Sequence, residues 1–266
     1  MTSGRLSSEA ISEAANILWS NWSDSTRIDA LPDRCHPRTR EDGYAIQTAV
    51  ARASGQSTVG WKIAATCEAG QRHIGVDGPL AGRLLGGRVI FDRTPVPFVN
   101  NIMKVAEAEF CFCMGRDLPP RGLPYGVADV LDAVASAHPS VEVPDSRYKD
   151  FASVGAPQLI ADTACACWLA IGPAFPDDWR GIDLSAHGVD VFLGERHAAS
   201  GSGKAVLGDP LVALAWLANE VGRHAGGLKA GDYVTTGTCV VPVAIRAGDT
   251  VTADYGALGK LAVAIG

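Results

Sequence analysis

The run Val105-Ala106-Glu107-Ala108-Glu109-Phe110-Cys111-Phe112-Cys113-Met114 decides how this chain is read. Its residues alternate in character, and a strand sends successive side chains to opposite faces. Ala106, Ala108, Phe110, Phe112 and Met114 then share one apolar face. Glu107 and Glu109 share the other, with Cys111 and Cys113 beyond them. Two residues apart in a strand, the glutamate Cα atoms lie about 6.5–7 Å from each other. Carboxylates held that close repel unless something neutralises them. A hard divalent cation does so, and oxygen ligands select Mg2+, Mn2+ or Ca2+ over zinc. The competing reading is an edge strand whose acidic face is solvated.

A third acid joins these two. In His138-Pro-Ser-Val-Glu-Val-Pro-Asp-Ser-Arg147, Glu142 sits between Val141 and Val143 in a short strand ended by Pro144. Three carboxylates leave open positions on an octahedral cation for a chelating substrate. Lys62, in Gly60-Trp61-Lys62-Ile63-Ala64, follows a tryptophan in a strand that reads as buried. A lysine there must be paired or functional, unless the strand is an edge and the lysine faces solvent. Beside a cation it suits a substrate carboxylate or enolate.

Outward from these motifs the chain divides near residue 57. In residues 1–57, Ile11, Ala14, Ala15, Leu18, Trp19 and Trp22 recur at helical spacing. A second helix starts at Thr39, with Asp42 completing an imperfect capping box. From residue 58 to 266 the texture becomes short apolar or alternating runs split by Gly, Pro and Asp, which read as strands. They include Arg88–Phe91, Ser140–Val143 and Val240–Ile245. Helices are expected over about Val127–Ala137 and from Asp209-Pro210, an N-cap followed by proline at the first helical position. This is not regular strand–helix alternation, so the fold class is α+β with a mixed sheet, in one catalytic domain. Ser200-Gly201-Ser202-Gly203-Lys204 lacks the Ser or Thr that a phosphate loop needs after its lysine, and reads as an active-site loop.

The 266 residues carry a net charge of −6, with 47% hydrophobic and 20% charged residues. With no basic cluster, this argues against a nucleic-acid partner. The N-terminal MTSGRLSSEA has no apolar core of a secretory signal, and the longest apolar stretch, about Ala164–Phe175, is too short to span a bilayer. A cytoplasmic protein is expected. Seven cysteines, an odd number without an export signal, read as reduced thiols. The Cys111/Cys113 and Cys165/Cys167 pairs lack zinc-site spacing and read as core.

At these residues the sequence resembles the hydratase/decarboxylase branch of the fumarylacetoacetate hydrolase superfamily. The likeness spans about Tyr44 to Ile265. It is carried by GWKIAAT with GVDGPLAG, VAEAEFCFCMGRDLP, HPSVEVPDSR, LIADTACACWLAIG, and GSGKAVLGDPLVALAWLANEV through LKAGDYVTTGT. By position, Glu107, Glu109 and Glu142 match the family's metal ligands and Lys62 its active-site lysine. Asp162, in Asp162-Thr163-Ala164-Cys165, and Thr236 and Thr238 match segments that imply substrate binding. The resemblance implies a mixed β-roll preceded by N-terminal helices, a homo-oligomer, no organic cofactor, and Mg2+ or Mn2+ chelated by the carboxylate and 2-oxygen of a 2-oxo acid. Hydration of a short unsaturated 2-oxo acid or 2-hydroxydienoate through a metal-chelated enolate is the leading expectation. Decarboxylation of a vinylogous 2-oxo diacid comes next. C–C hydrolysis of an acylpyruvate would want a histidine, for which His73 and His138 are candidates, and a non-catalytic relative is the last alternative. One departure stands out. Where the hydratases carry an acid, this chain has Pro79-Leu80-Ala81-Gly82, with Asp77 three residues away. The metal-binding half looks kept and the proton-transfer half altered.

Overall fold

A computed structural model of the chain describes residues 5–91 and 93–266. The first four residues of the N-terminal stretch lie outside it. Two helices come first, α1 (Ser8–Ser23) and α2 (Arg40–Ser54). The capping box of α2 is complete: the Thr39 hydroxyl accepts from the Asp42 N–H at 3.1 Å, and the Asp42 carboxylate accepts from the Thr39 N–H at 3.3 Å. Gly55, at φ 65°, ends the helix in the left-handed conformation that glycine adopts without penalty.

The first strand, β1 (Thr58–Ala64), begins where the sequence texture changes. It is followed by α3 (Glu68–His73), β2 (Leu80–Leu85), β3 (Val89–Ile90) and β4 (Val105–Met114). Then come α4 (Val127–Ala133), β5 (Val134–Val143), α5 (Ala156–Ala161) and β6 (Trp168–Ile171). The chain ends with β7 (Gly188–Leu193), β8 (Arg196–Ser202), α6 (Pro210–His224), β9 (Tyr233–Thr238), β10 (Val243–Ala244), β11 (Thr250–Asp254) and β12 (Lys260–Ala264).

Among the described residues the strands form two sheets. A curled eight-stranded sheet runs β2-β1-β9-β4-β5-β6-β3, with β10 paired to β4. It is mixed, because β1/β9 and β3/β6 are parallel and its other pairs antiparallel. The second sheet, β12-β11-β7-β8, is antiparallel. Tyr255, just after β11, joins the two: its ring packs against Phe110 and Phe175, and its hydroxyl donates to the Glu109 carbonyl at 2.7 Å. The N-terminal helices form their own apolar cluster around Leu18, Trp22, Ile46 and Val50, which closes on Leu85, Tyr148 and Ala161 at the flank of the large sheet.

The structure corrects four sequence expectations. The helix expected over Val127–Ala137 stops at Ala133, and Val134 to Ala137 belong to β5, because a short apolar run fits either element until a neighbouring strand pairs with it. The strand expected over Val240–Ile245 shrinks to Val243–Ala244, since Pro242 has no N–H for a ladder. Residues 200–204 are the end of β8 and a 3-10 turn rather than an open loop. Finally, β4 is flanked by β9 and β5, so the edge-strand account of its acids fails.

Candidate metal centre

The acids meet because of strand register. Glu107 stands directly opposite Glu142 in the antiparallel β4/β5 pair, which puts both side chains on one face. Glu109 lies two residues along the same face of β4. On its other side β9 carries one extra residue, since Glu109 pairs with Thr238 but Cys111 with Thr235. That bulge contains Gly237 at φ 99°, whose N–H donates to Glu109 Oε2 at 3.0 Å. A Cβ there would lie 2.3 Å from Thr66 Oγ1, so only glycine fits.

Ligand oxygens from Glu107, Glu109 and Glu142 all lie within 4.8 Å of one another. Glu109 and Glu142 are buried, while Glu107 opens onto a cavity. Glu109 Oε1 and both oxygens of Glu142 have no hydrogen-bond partner. Buried carboxylate oxygens left bare are costly unless a cation satisfies them. Burial pushes all three carboxyls up: Glu142 to about 7, against the opposing pull of Lys62, and Glu109 well above the usual range, helped by the charges of Glu142 and Glu107. Glu107 is raised less far, because Lys62 offsets its burial.

Lys62 reaches this cluster from β1. It is 3% exposed, and its Nζ lies 3.2 Å from Glu142 Oε1, within ion-pair reach but outside hydrogen-bond geometry. Nζ also donates to the Ala164 carbonyl at 3.0 Å. Burial alone would lower its pKa, but Glu142, Glu107 and Glu109 together raise it, so Lys62 is charged.

The carbonyl that receives Lys62 belongs to a strained turn. Thr163, Ala164 and Cys165 are consecutive non-glycine residues at φ 52°, 50° and 62°. Each costs on the order of 1–2 kcal/mol in that left-handed region. Arg147 laces the turn from both ends: Nη2 donates to the Asp162 carbonyl and the Thr163 hydroxyl, and Nη1 to the Ala166 carbonyl at 3.0 Å. Gly82, the β2 partner of Lys62, permits the approach, because a Cβ there would sit 1.9 Å from the Thr163 carbonyl oxygen.

A cavity of about 730 Å3 opens above the acids. Lys62, Glu107 and Thr238 line it, as does His73. Glu109 and Glu142 lie outside that lining, beneath Glu107, and Asp162, Thr236 and His138 lie outside it as well. The Asp162 carboxylate is occupied by the Arg147 guanidinium and N–H and by the Ser146 hydroxyl at 2.7 Å. Thr236 donates to the Phe110 carbonyl at 3.1 Å. His138 bonds Ser136 and Gly172. Asp77 is exposed and also outside the lining, so it does not replace the acid missing at Leu80, which is fully buried in the cavity wall. The sequence reading missed Arg147 and the left-handed turn. No glycine marks the turn, and the charged Arg147 at the end of the buried-reading HPSVEVPDSR stretch was the one available signal.

The model of the fumarylacetoacetate (FAA) hydrolase C-terminal region matches residues 89–265. The chain belongs to the fumarylacetoacetate hydrolase family. Within that family it is similar to 2-keto-4-pentenoate hydratase 1 of Dechloromonas aromatica (strain RCB), at 34% identity over 259 residues covering 96% of each chain. It is also similar to 2-hydroxyhexa-2,4-dienoate hydratase of Comamonas testosteroni, at 33% identity over 220 residues, 80% of this chain and 82% of that protein. Among solved family structures, 4-oxalocrotonate decarboxylase from Pseudomonas putida G7 aligns with a TM-score of 0.87 at 27% identity, covering 98% of this chain and 100% of the other. That decarboxylase was solved complexed with calcium and acetate, and with magnesium and adipate.

Proposed function

We propose that this chain is a divalent-metal-dependent hydro-lyase acting on a short unsaturated 2-oxo acid or its 2-hydroxydienoate tautomer. One observation carries the reading: three glutamates converge, buried oxygens of Glu109 and Glu142 lack partners, and Glu107 and the charged Lys62 open from this cluster onto a mainly apolar cavity. Glu107, Glu109 and Glu142 would hold the cation, Mg2+ or Mn2+, since the donor set is all oxygen. When bound, the cation supplies Lewis-acid stabilisation of negative charge on the substrate's 2-oxygen.

The chain's own residues do the rest. The ammonium of Lys62, held by the Ala164 carbonyl and Glu142, offers a preorganised positive charge to the substrate carboxylate or the developing enolate oxygen. Thr238 lines the same cavity and stays in the proposed substrate-binding set, with its hydroxyl donating to the Val240 carbonyl at 2.8 Å. Asp162 and Thr236 shape the walls through their backbone neighbours. In the reaction, the hydroxydienoate loses its enol proton and gains one at the terminal carbon. Water then adds, its oxygen to C4 and a proton to C3. With Leu80 apolar, Glu107 and His73 are lining side chains that could relay protons, beside the charged Lys62.

Decarboxylation of a vinylogous 2-oxo diacid is the second reading. The likeness to the solved decarboxylase favours it, as does Leu80, because loss of CO2 needs no residue to activate water. Self-association is proposed as well: Phe91, Val99 and Ile102 are exposed on the segment joining β3 to β4. The test of function is a panel of 2-hydroxydienoates and 2-oxo-3-enedioates with Mg2+, following dienol absorbance and CO2 release. Loss of dienol absorbance that stops in EDTA supports hydration; CO2 release as the main product supports the second reading; turnover undiminished in EDTA refutes the metal site.

A further inference from the structure

We infer that the cavity takes an unsaturated 2-oxo acid whose far end carries an extended hydrocarbon substituent, larger than a methyl group, in place of a second carboxylate. The inference rests on the function proposed above, because the acids and Lys62 fix which end of the substrate sits at the floor.

Size is the first argument. At about 730 Å3 the cavity falls among those that enclose drug-sized ligands, about 300–1,000 Å3. A five-carbon acid anchored at the floor leaves most of that volume to be filled by water or by a longer chain. Wall chemistry decides between them. Above Lys62 and Glu107, most of the surface is apolar, with Ile74, Leu80, Met103, Phe151, Leu159 and Val241 contributing. Thr66, His73, Ser200, Ser202 and Lys204 add polar atoms. Leu80 is set there by register: Lys62 pairs with Gly82 and Ala64 with Leu80, so Leu80 lies on the face of Lys62, one step along the strands. Val241, at the rim, is 78% exposed, an apolar side chain offered to whatever leaves the mouth.

Charge is the third argument. Among the described lining residues the formal cations are Lys62 and Lys204, with no arginine. Lys62 is committed to Glu142 and Ala164, while Lys204 and the one lining imidazole, His73, are exposed and so stay hydrated. A distal carboxylate would therefore be desolvated against leucine, methionine and phenylalanine without a buried partner, which is unfavourable. A hydrocarbon tail gains there what the carboxylate loses.

Two assays separate this inference from the reading beneath it. Saturated straight-chain 2-oxo acids from five to nine carbons, and the matching ω-dicarboxylates, are titrated into the Mg2+-loaded protein by calorimetry. Affinity should rise about fourfold for each methylene buried, and the ω-carboxylate should erase the gain. Terminally unsubstituted, methyl, butyl and phenyl 2-hydroxydienoates are then compared by kcat/KM, with the butyl and phenyl compounds expected to lead. Val241→Asp, at an exposed position that does not threaten folding, should flatten the chain-length dependence, as should Leu80→Asp. Affinity that is flat or falls with length, or diacids that bind more tightly, overturns the inference. Best turnover of the unsubstituted dienoate overturns it while leaving hydration standing. Rising affinity with no turnover of any dienoate overturns hydration and leaves the apolar site standing.

Discussion

Replacing Lys62 by methionine tests the centre most sharply. The side chain keeps most of its length and loses its charge. In the native arrangement the ammonium sits 3.2 Å from Glu142 and is the nearest positive charge to three buried carboxyls. Two separate effects follow. Breaking one side of a buried ion pair typically destabilises by about 3–5 kcal/mol, so the metal-free variant should unfold well below the metal-free parent. At about 2–4 °C per kcal/mol for a chain approaching this size, the melting temperature should drop by roughly 6–20 °C. A divalent cation replaces the missing charge, so saturating Mg2+ should narrow that gap. Turnover should behave differently. Loss of a preorganised donor to the developing oxyanion removes about 10²–10³ in kcat, and added Mg2+ should not restore it. The assays are thermal unfolding with Mg2+ and with EDTA, and steady-state kinetics at saturating Mg2+. A kcat within threefold of the parent, or a melting difference equal with and without the cation, would refute the reasoning.

Glu142→Gln keeps the shape but removes a ligand charge, so calorimetric Mg2+ binding and activity should both disappear. Proton competition should also be visible. The Glu142 carboxyl of the metal-free protein is pushed up to about 7 and Glu109 well above the usual range, so protons must leave before a cation can bind, and Mg2+ affinity should strengthen as pH rises from 5.5 to 7.5; an affinity independent of pH over that range would contradict the burial argument. Asp162→Asn weakens the Arg147 clasp on the turn that receives Lys62. We expect kcat to fall about 10- to 100-fold with Mg2+ affinity kept, by analogy with outer residues around metal sites; equal losses in both, or none in either, would remove Asp162 from this role.

Much of this was legible in the chain itself, for physical reasons. The alternation around Glu107 and Glu109 could be read because a strand has a strict period of two, and the Thr39–Asp42 cap because its partners are three residues apart. What failed was non-local. Nothing near Glu142 announces that it pairs with Glu107 and not Glu109, since register depends on both strands. Val134–Ala137 reads as helix or strand until β4 lies beside it. Asp162 matched a family segment and was read as touching substrate. Its carboxylate faces Arg147 instead, an orientation set by three left-handed residues that no glycine signals.

The pairing of Glu107 with Glu142 has a consequence for how the central strands find each other. β4 and β5 are joined through residues 115–133, a connection far too long for turn geometry to dictate alignment. Alignment therefore rests on which faces are apolar, and like charges placed opposite each other oppose the correct choice. Slipping β5 by one residue would send Glu142 to the other side of the sheet, and slipping β4 would send Glu107 and Glu109; either would dismantle the carboxylate cluster. If the proposed site binds its cation, capture would act as proofreading, since it would reward this alignment of the two strands. Refolding yield should accordingly climb with divalent concentration, even where no substrate is present.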